Sequence, residues 1–117
     1  MKREDVLKKL YTALGDFNNL LALREISGSD VDKICDTDKD NYIDNLREDF
    51  LVLEKYGADT ILQEVRGIGN MDYFRSITGT LRSPPSFESR LMLRKEMEIC
   101  ERNREKVLEE ILKDKLN

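Results

Sequence analysis

Acidic residues at alternate positions are the sequence's clearest hint of metal chemistry. Asp36, Asp38 and Asp40 are separated by single residues, and carboxylates spaced in this way along a loop can converge on a calcium ion. Two departures weaken the likeness to an EF-hand calcium loop: Asn41 replaces the glycine of the turn, and Arg47 stands where the bidentate glutamate belongs. The three aspartates are therefore a weak calcium candidate, and the alternative is a solvated loop with helix caps at Asp40 or Asn41.

Catalytic groups of the usual kinds are scarce. The chain has no histidine, which removes the commonest general base and the commonest zinc ligand. Cys35 and Cys100 stand far apart and form no metal-ligand motif, so we expect them to behave as small hydrophobic residues. Gly67 and Gly69 lack the preceding strand and third glycine of a phosphate loop, and helix termination explains them better. The sequence therefore predicts a protein that is not an enzyme and has no cofactor.

Length and charge narrow the classes of partner. The 117 residues suit one domain that can bury a core without disulfides or metals. The 20 basic and 24 acidic residues give a net charge of −4 with no concentrated basic face, so we expect no nucleic-acid partner. The sequence has no apolar run of membrane-spanning length, and its first residues lack the apolar core of a signal peptide. We expect a cytoplasmic protein with no membrane partner.

Apolar residues recur at helical spacing through most of the chain, which predicts an all-α fold. In residues 1–82 the pattern indicates a compact bundle of six short helices, over about 5–14, 16–26, 29–34, 41–56, 59–68 and 70–79. Gly15 should separate the first two helices, and Gly57 should end the fourth in the left-handed conformation. Asp59 and Asn70 are expected to cap the helices that follow them.

The helix predicted over 41–56 carries more apolar residues than one stripe requires. Ile43, Leu46, Phe50 and Leu53 follow helical spacing, and Leu51 and Val52 lie beside that stripe. Such breadth predicts a central, well-buried helix with a broad apolar face.

Prolines at 84 and 85 mark a joint over residues 83–86, after which one long helix is predicted over 87–117. A heptad-like seam runs along this helix at Leu93, Met97, Cys100, Val107 and Ile111, with Arg104 in the one missing place. The seam could pack on the chain's own bundle or form a homodimer or partner interface. Leu91 and Met92 lie off the seam and could serve a second surface.

Several segments of residues 1–82 resemble the death-fold superfamily of six-helix interaction domains, in particular death effector domains and bacterial effector-associated death-like domains. Residues 20–26 are similar to the second helix of that fold and residues 31–34 to its short third helix. Residues 50–57 resemble its leucine-rich fourth helix followed by glycine, and residues 61–65 and 70–74 resemble its final part.

Death effector domains carry an Arg-x-Asp-Leu-Leu pattern in that final part. Here Asp72 matches the acidic position, Asn70 replaces the arginine, and Tyr73 and Phe74 replace the leucines. The resemblance implies association through surface patches rather than chemistry, with Asp72 and Tyr73 as contact candidates.

Three functions remain open from the sequence. The first is a non-enzymatic interaction or adaptor protein that binds itself or a protein partner, with Leu93, Met97, Arg104 and Ile111 as candidate contacts. The second is a small acidic regulatory or inhibitor protein, of the mobile-element type, that occludes a basic surface of its partner. The third is a small-ligand binder or an enzyme with carboxylates in a helical bundle, which a deep polar pocket would favour.

Overall fold

A computed structural model of the protein describes residues 1–26, 36–82 and 87–116, and every regular element in these ranges is an α-helix. The helices are α1 (Arg3–Ile26), α2 (Asp36–Lys55), α3 (Ala58–Glu64), α4 (Met71–Thr80) and α5 (Phe87–Leu116). The predicted all-α class is confirmed. The helix predicted near 29–34 and the joint at 83–86 lie outside the described residues.

The two helices predicted on either side of Gly15 are one continuous helix, α1. A glycine inside a helix costs only about 1 kcal/mol relative to alanine, and apolar side chains on both sides of it, Leu14 and Phe17, are fully buried. The packing of these side chains therefore outweighs the low helix propensity of glycine. A Cβ at position 15 would lie 3.1 Å from Nη2 of Arg104, so the glycine makes room for that side chain.

The polar stretch at 36–41 is the first part of α2 and not a loop. It contains no glycine or proline to break a helix, and acidic residues near a helix N-terminus interact favourably with the helix dipole. Successive alternate positions of a helix lie about 200° apart around its axis and do not converge as they can in a loop. The loop on which the calcium candidate at Asp36, Asp38 and Asp40 depended is therefore absent from this segment.

Helix α2 buries one stripe, not a broad face. Its inward residues are almost completely buried, namely Ile43, Leu46, Phe50 and Leu53. Leu51 is 46% exposed, and Val52 is only half-buried. The predicted breadth of the buried face is therefore wrong at Leu51 and Val52, because the neighbours of α2, chiefly α1 and α4, cover only one side of it.

Three phenylalanines from three helices meet at the centre of the core. Phe17 of α1 contacts Phe50 of α2 and Phe74 of α4 edge to face, with ring centroids 6.0 and 5.3 Å apart. Phe50 and Phe74 stack at 5.6 Å. Aromatic pairs in these geometries contribute beyond their buried area, so this cluster fixes how α1, α2 and α4 pack together.

Helix α5 lies antiparallel along α1. Arg3, at the start of α1, pairs with Glu110 near the end of α5 at 3.0 Å, and Glu25, at the other end of α1, pairs with Arg94. Between these ends, Sγ of Cys100 donates to the carbonyl of Leu14 at 3.0 Å. Within the described ranges, no helix combines the length and apolar character needed to cross a membrane.

The connections around α3 and α4 are held by specific backbone contacts. Gly57 follows α2 with φ 86°, and Asn70 caps α4 by accepting from the Tyr73 N–H at 2.8 Å, so both predictions are confirmed. Asp59 does not cap α3, because that helix begins at Ala58. Its carboxylate instead accepts from the Met71 N–H at 2.7 Å, at the first residue of α4.

A buried amide fixes the segment between α3 and α4 to α5. Asn103 is fully buried, accepts from the Ile68 N–H at 2.8 Å and donates to the Ile68 carbonyl at 2.7 Å. Lys106 donates to the neighbouring carbonyl of Arg66 at 2.6 Å. Gly67 lies so close to Leu62 that a Cβ would be 2.3 Å from its Cδ1. The conformation of this segment therefore depends on Gly67 within it and on Asn103 of α5.

Candidate functional site

The predicted seam of α5 faces the chain's own bundle. Leu93 and Ile111 are buried in the core, as are Cys100 and Val107, and Met97 is partly buried against it. These side chains are not presented to a second molecule in this arrangement.

Arg104, the polar residue in the seam, is held between α1 and α5. Its guanidinium lies 4.5 Å from the centre of the Tyr11 ring, a cation–π geometry, and pairs with Glu101 at 3.2 Å. The half-buried Arg104 thus joins the two helices, although its Nε atom is buried without a hydrogen-bond partner.

The two contact candidates on α4 have different environments. Asp72 is exposed and pairs with Arg75 at 2.6 Å. Tyr73 is half-buried, and its hydroxyl donates to Glu96 of α5 at 2.5 Å. Burial and then this hydrogen bond raise the pKa of Tyr73 well above its usual range. Tyr73 therefore ties α4 to α5, and Asp72 alone of the pair faces solvent.

Cys100 illustrates how closed the core is. The side chain is fully buried, and burial, followed by the charge of Glu101, raises the pKa of its thiol to about 12. Because the thiolate is the reactive form, we expect Cys100 in a Cys35→Ser variant to resist iodoacetamide at pH 8 until denaturant is added. Rapid labelling of the native protein, followed by mass spectrometry, would contradict this burial.

The raised pKa of Cys100 also makes the protein's stability depend on pH. The folded state holds the Cys100 proton more tightly than an unfolded thiol with a pKa of about 8.5 does. The contribution of the protonated Cys100 thiol to folding stability is therefore complete below about pH 8.5. It is lost as the pH rises towards about 12.

Two of the carboxylates that line the groove between α1 and α5, those of Glu25 and Glu101, have partners among the neighbouring side chains. This groove has a volume of about 480 Å³, and its lining includes Asn18, Glu25, Arg94, Met97 and Glu101. Glu25 pairs with Arg94, and Glu101 accepts from Asn18 at 3.1 Å. The groove is a cleft with ion pairs on its walls.

Asp40, a member of the calcium candidate, and the nearby Asp44 share a cationic neighbour. Arg82 pairs with Asp44 and lies 3.9 Å from a carboxylate oxygen of Asp40. Among the described residues, no group of three or more acidic or cysteine side chains could hold a metal ion.

The outward side of α2 combines an exposed apolar residue with charged residues on either side of it. Glu48, Leu51, Val52 and Lys55 form what we call the α2 outer face, and together with Glu54 they line a depression of about 460 Å³. Leu51 is the exposed apolar residue of this face. Glu48 and Lys55 are exposed, and in the part of the chain that the structure describes neither makes a hydrogen bond or ion pair.

A signal in the sequence could have separated this face from the core stripe. Residues 48, 51, 52 and 55 follow their own helical spacing of three and four, as do the buried residues at 43, 46, 50 and 53. Their apolar character alone predicts that Leu51 and Val52 widen the buried stripe. The charged residues on either side of them indicate instead a second, solvent-facing stripe.

A second exposed apolar pair lies near the start of α5. Leu91 is 60% exposed and Met92 is 66% exposed. This placement fits the expectation that they lie off the seam.

No protein-family model matches this chain, and comparisons with curated proteins and with solved structures give no match either.

Proposed function

We propose that this chain is a non-enzymatic protein-interaction module that binds its partner through the α2 outer face. The observation that carries the proposal is an exposed leucine on a regular helix, flanked by two charged residues of opposite sign that have no partner within the described residues. Clustered apolar groups rimmed by polar ones are typical of protein-binding surfaces. A cytoplasmic location belongs to the same proposal.

The location of Leu51 supports this function because the core does not need that side chain. The aromatic cluster and the buried stripe of α2 close the interior without it. An exposed leucine contributes little to folding, whereas burial of a leucine side chain against a partner is worth about 1.5–3 kcal/mol. The α2 outer face thus has apolar surface that a second molecule can cover.

The death-fold resemblance of residues 1–82 is part of this proposal. Domains of that superfamily associate through surface patches, and Asp72 on α4 is an exposed contact candidate. The continuous helix α1 departs from the two separate helices that the resemblance implies. The proposed function therefore depends on the α2 outer face and uses the resemblance only as background.

Site-specific photo-crosslinking in cells that express the protein tests the proposal. A benzophenone amino acid at position 51 should form adducts with protein, whereas the same residue at the exposed position 63 of α3 should not. Both positions lie on helix surfaces, so the comparison isolates the face itself. Adducts of equal yield at both positions, or none at position 51, would contradict a binding role for the α2 outer face.

A further inference from the structure

We infer that the partner of the α2 outer face is a second copy of this chain, with the two α2 helices packed antiparallel about a two-fold axis near Leu51. The inference rests on the proposed function and names the partner of the same surface. It is carried by the arrangement of charge and apolar groups along α2.

The face is complementary to itself. Glu48 lies three residues before Leu51, and Lys55 lies four residues after it. At about 100° per residue, all three side chains fall on one side of the helix. When two such helices run antiparallel with Leu51 near the axis, Glu48 of each copy faces Lys55 of the other. A two-fold interface uses the same patch on both copies. The contact between Glu48 and Lys55 therefore occurs twice and gives two ion pairs.

Leu51 and Val52 supply the centre of the contact. In the antiparallel pair Leu51 of one copy lies beside Leu51 and Val52 of the other, so four apolar side chains meet between the ion pairs. Interfaces of this kind have an apolar centre and a polar rim. The α2 outer face has that order along its length, with Glu48 and Lys55 at its two ends.

The neighbouring arginine favours the antiparallel arrangement over a parallel one. A parallel pair would need Arg47 to reach Glu48 of the second copy. Arg47 is half-buried against α4, where its Cζ lies 3.5 Å from the Cβ position of Gly79, and its Nε atom is buried. Arg47 is thus directed towards its own α4. The exposed charges beside Leu51 that have no partner within the described residues are Glu48 and Lys55.

The size of the face sets the expected strength. Two single-helix faces bury less than the roughly 800 Å² per partner of a standard interface. We therefore expect a weak dimer whose population rises with concentration, rather than an obligate one.

Sedimentation velocity over a concentration series tests the inference on the full chain. The wild type should shift from monomer to dimer with increasing concentration. Leu51→Asp should remain monomeric throughout, because two carboxylates would meet at the two-fold axis. Glu48→Lys and Lys55→Glu should each weaken the dimer about tenfold, since each creates two like-charge contacts.

The double variant with Glu48→Lys and Lys55→Glu should restore association to within about threefold of the wild type, because the two ion pairs form again with exchanged signs. Lys95→Glu and Glu105→Lys on the exposed side of α5 are charge-matched controls and should associate as the wild type does. Circular dichroism should show equal helix content in all variants, since every substituted side chain is exposed.

A wild type that remains monomeric to about 1 mM, or a double variant no stronger than the singles, would overturn the inference. The photo-crosslink at position 51 separates this failure from failure of the proposed function. Adducts to a different protein from a monomeric chain would retain the interaction role and reject the second copy. No adduct to any protein would reject both.

Discussion

Replacing Val107 with aspartate is expected to remove most of the protein's folding stability. Val107 is fully buried where α5 packs against the bundle, so the variant must place a carboxylate in an apolar site without a partner. Such changes cost more than about 4 kcal/mol, a large part of the 5–15 kcal/mol typical of a whole domain. Urea denaturation followed by circular dichroism measures the loss as a shift in the midpoint.

Leu112→Asp is the matched control, because it introduces the same charge on the same helix at a side chain that is 48% exposed. It should change the free energy of unfolding by less than about 0.5 kcal/mol. A Val107→Asp protein that is as stable as the wild type but has lost a dimer would show that this part of α5 packs on another chain. The position of Val107 in the core would then be wrong.

Phe74→Ala is expected to destabilise the protein by about 3–5 kcal/mol. Phe74 contacts both Phe17 and Phe50, and all three rings are fully buried. Truncation removes one member of the cluster and leaves a cavity where α1, α2 and α4 meet. The loss can be measured from the urea midpoint, with the slope of the transition as a check that the folded state is still compact.

Two further variants serve as controls for the Phe74→Ala experiment. Phe74→Leu keeps most of the side-chain volume and should lose less stability than the alanine variant. Met92→Ala truncates a large apolar side chain that is mostly exposed, and it should be close to neutral. Equal losses for Phe74→Ala and Met92→Ala would be inconsistent with a core centred on the three rings.

Periodicity predicted the all-α class and the buried stripe of α2, because both depend on spacing that any inward-facing helix must keep. The caps at Gly57 and Asn70 were also predictable, since each depends on a conformation or side-chain acceptor that few residue types offer. The continuity of α1 through Gly15 was not predictable, because the packing beside that residue involves Arg104, which is far away in the sequence.

The candidate site was harder to predict than the fold. Leu93 and Ile111 are interaction candidates from the sequence, because a heptad-like seam has the same spacing whether its partner is another chain or the same chain. Contact with α1 decided between these alternatives. The exposure of Leu51 likewise depends on how many neighbours α2 has, which local spacing does not determine. The role of Asn103 was missed because a buried amide in a polar helix resembles a surface residue until its contact with Ile68 is known.

The antiparallel contact of α1 with α5 has a consequence for how the protein folds. Arg3 and Glu110 come together across 107 positions of sequence, and α1 packs more extensively on α5 than on any other helix. Contacts of such large sequence separation incur loop-closure entropy before they contribute stability, and they slow folding relative to other helical proteins. During synthesis, α1 must wait for α5 to leave the ribosome before the two helices can pack, so the emerging chain carries an incompletely covered apolar helix until then.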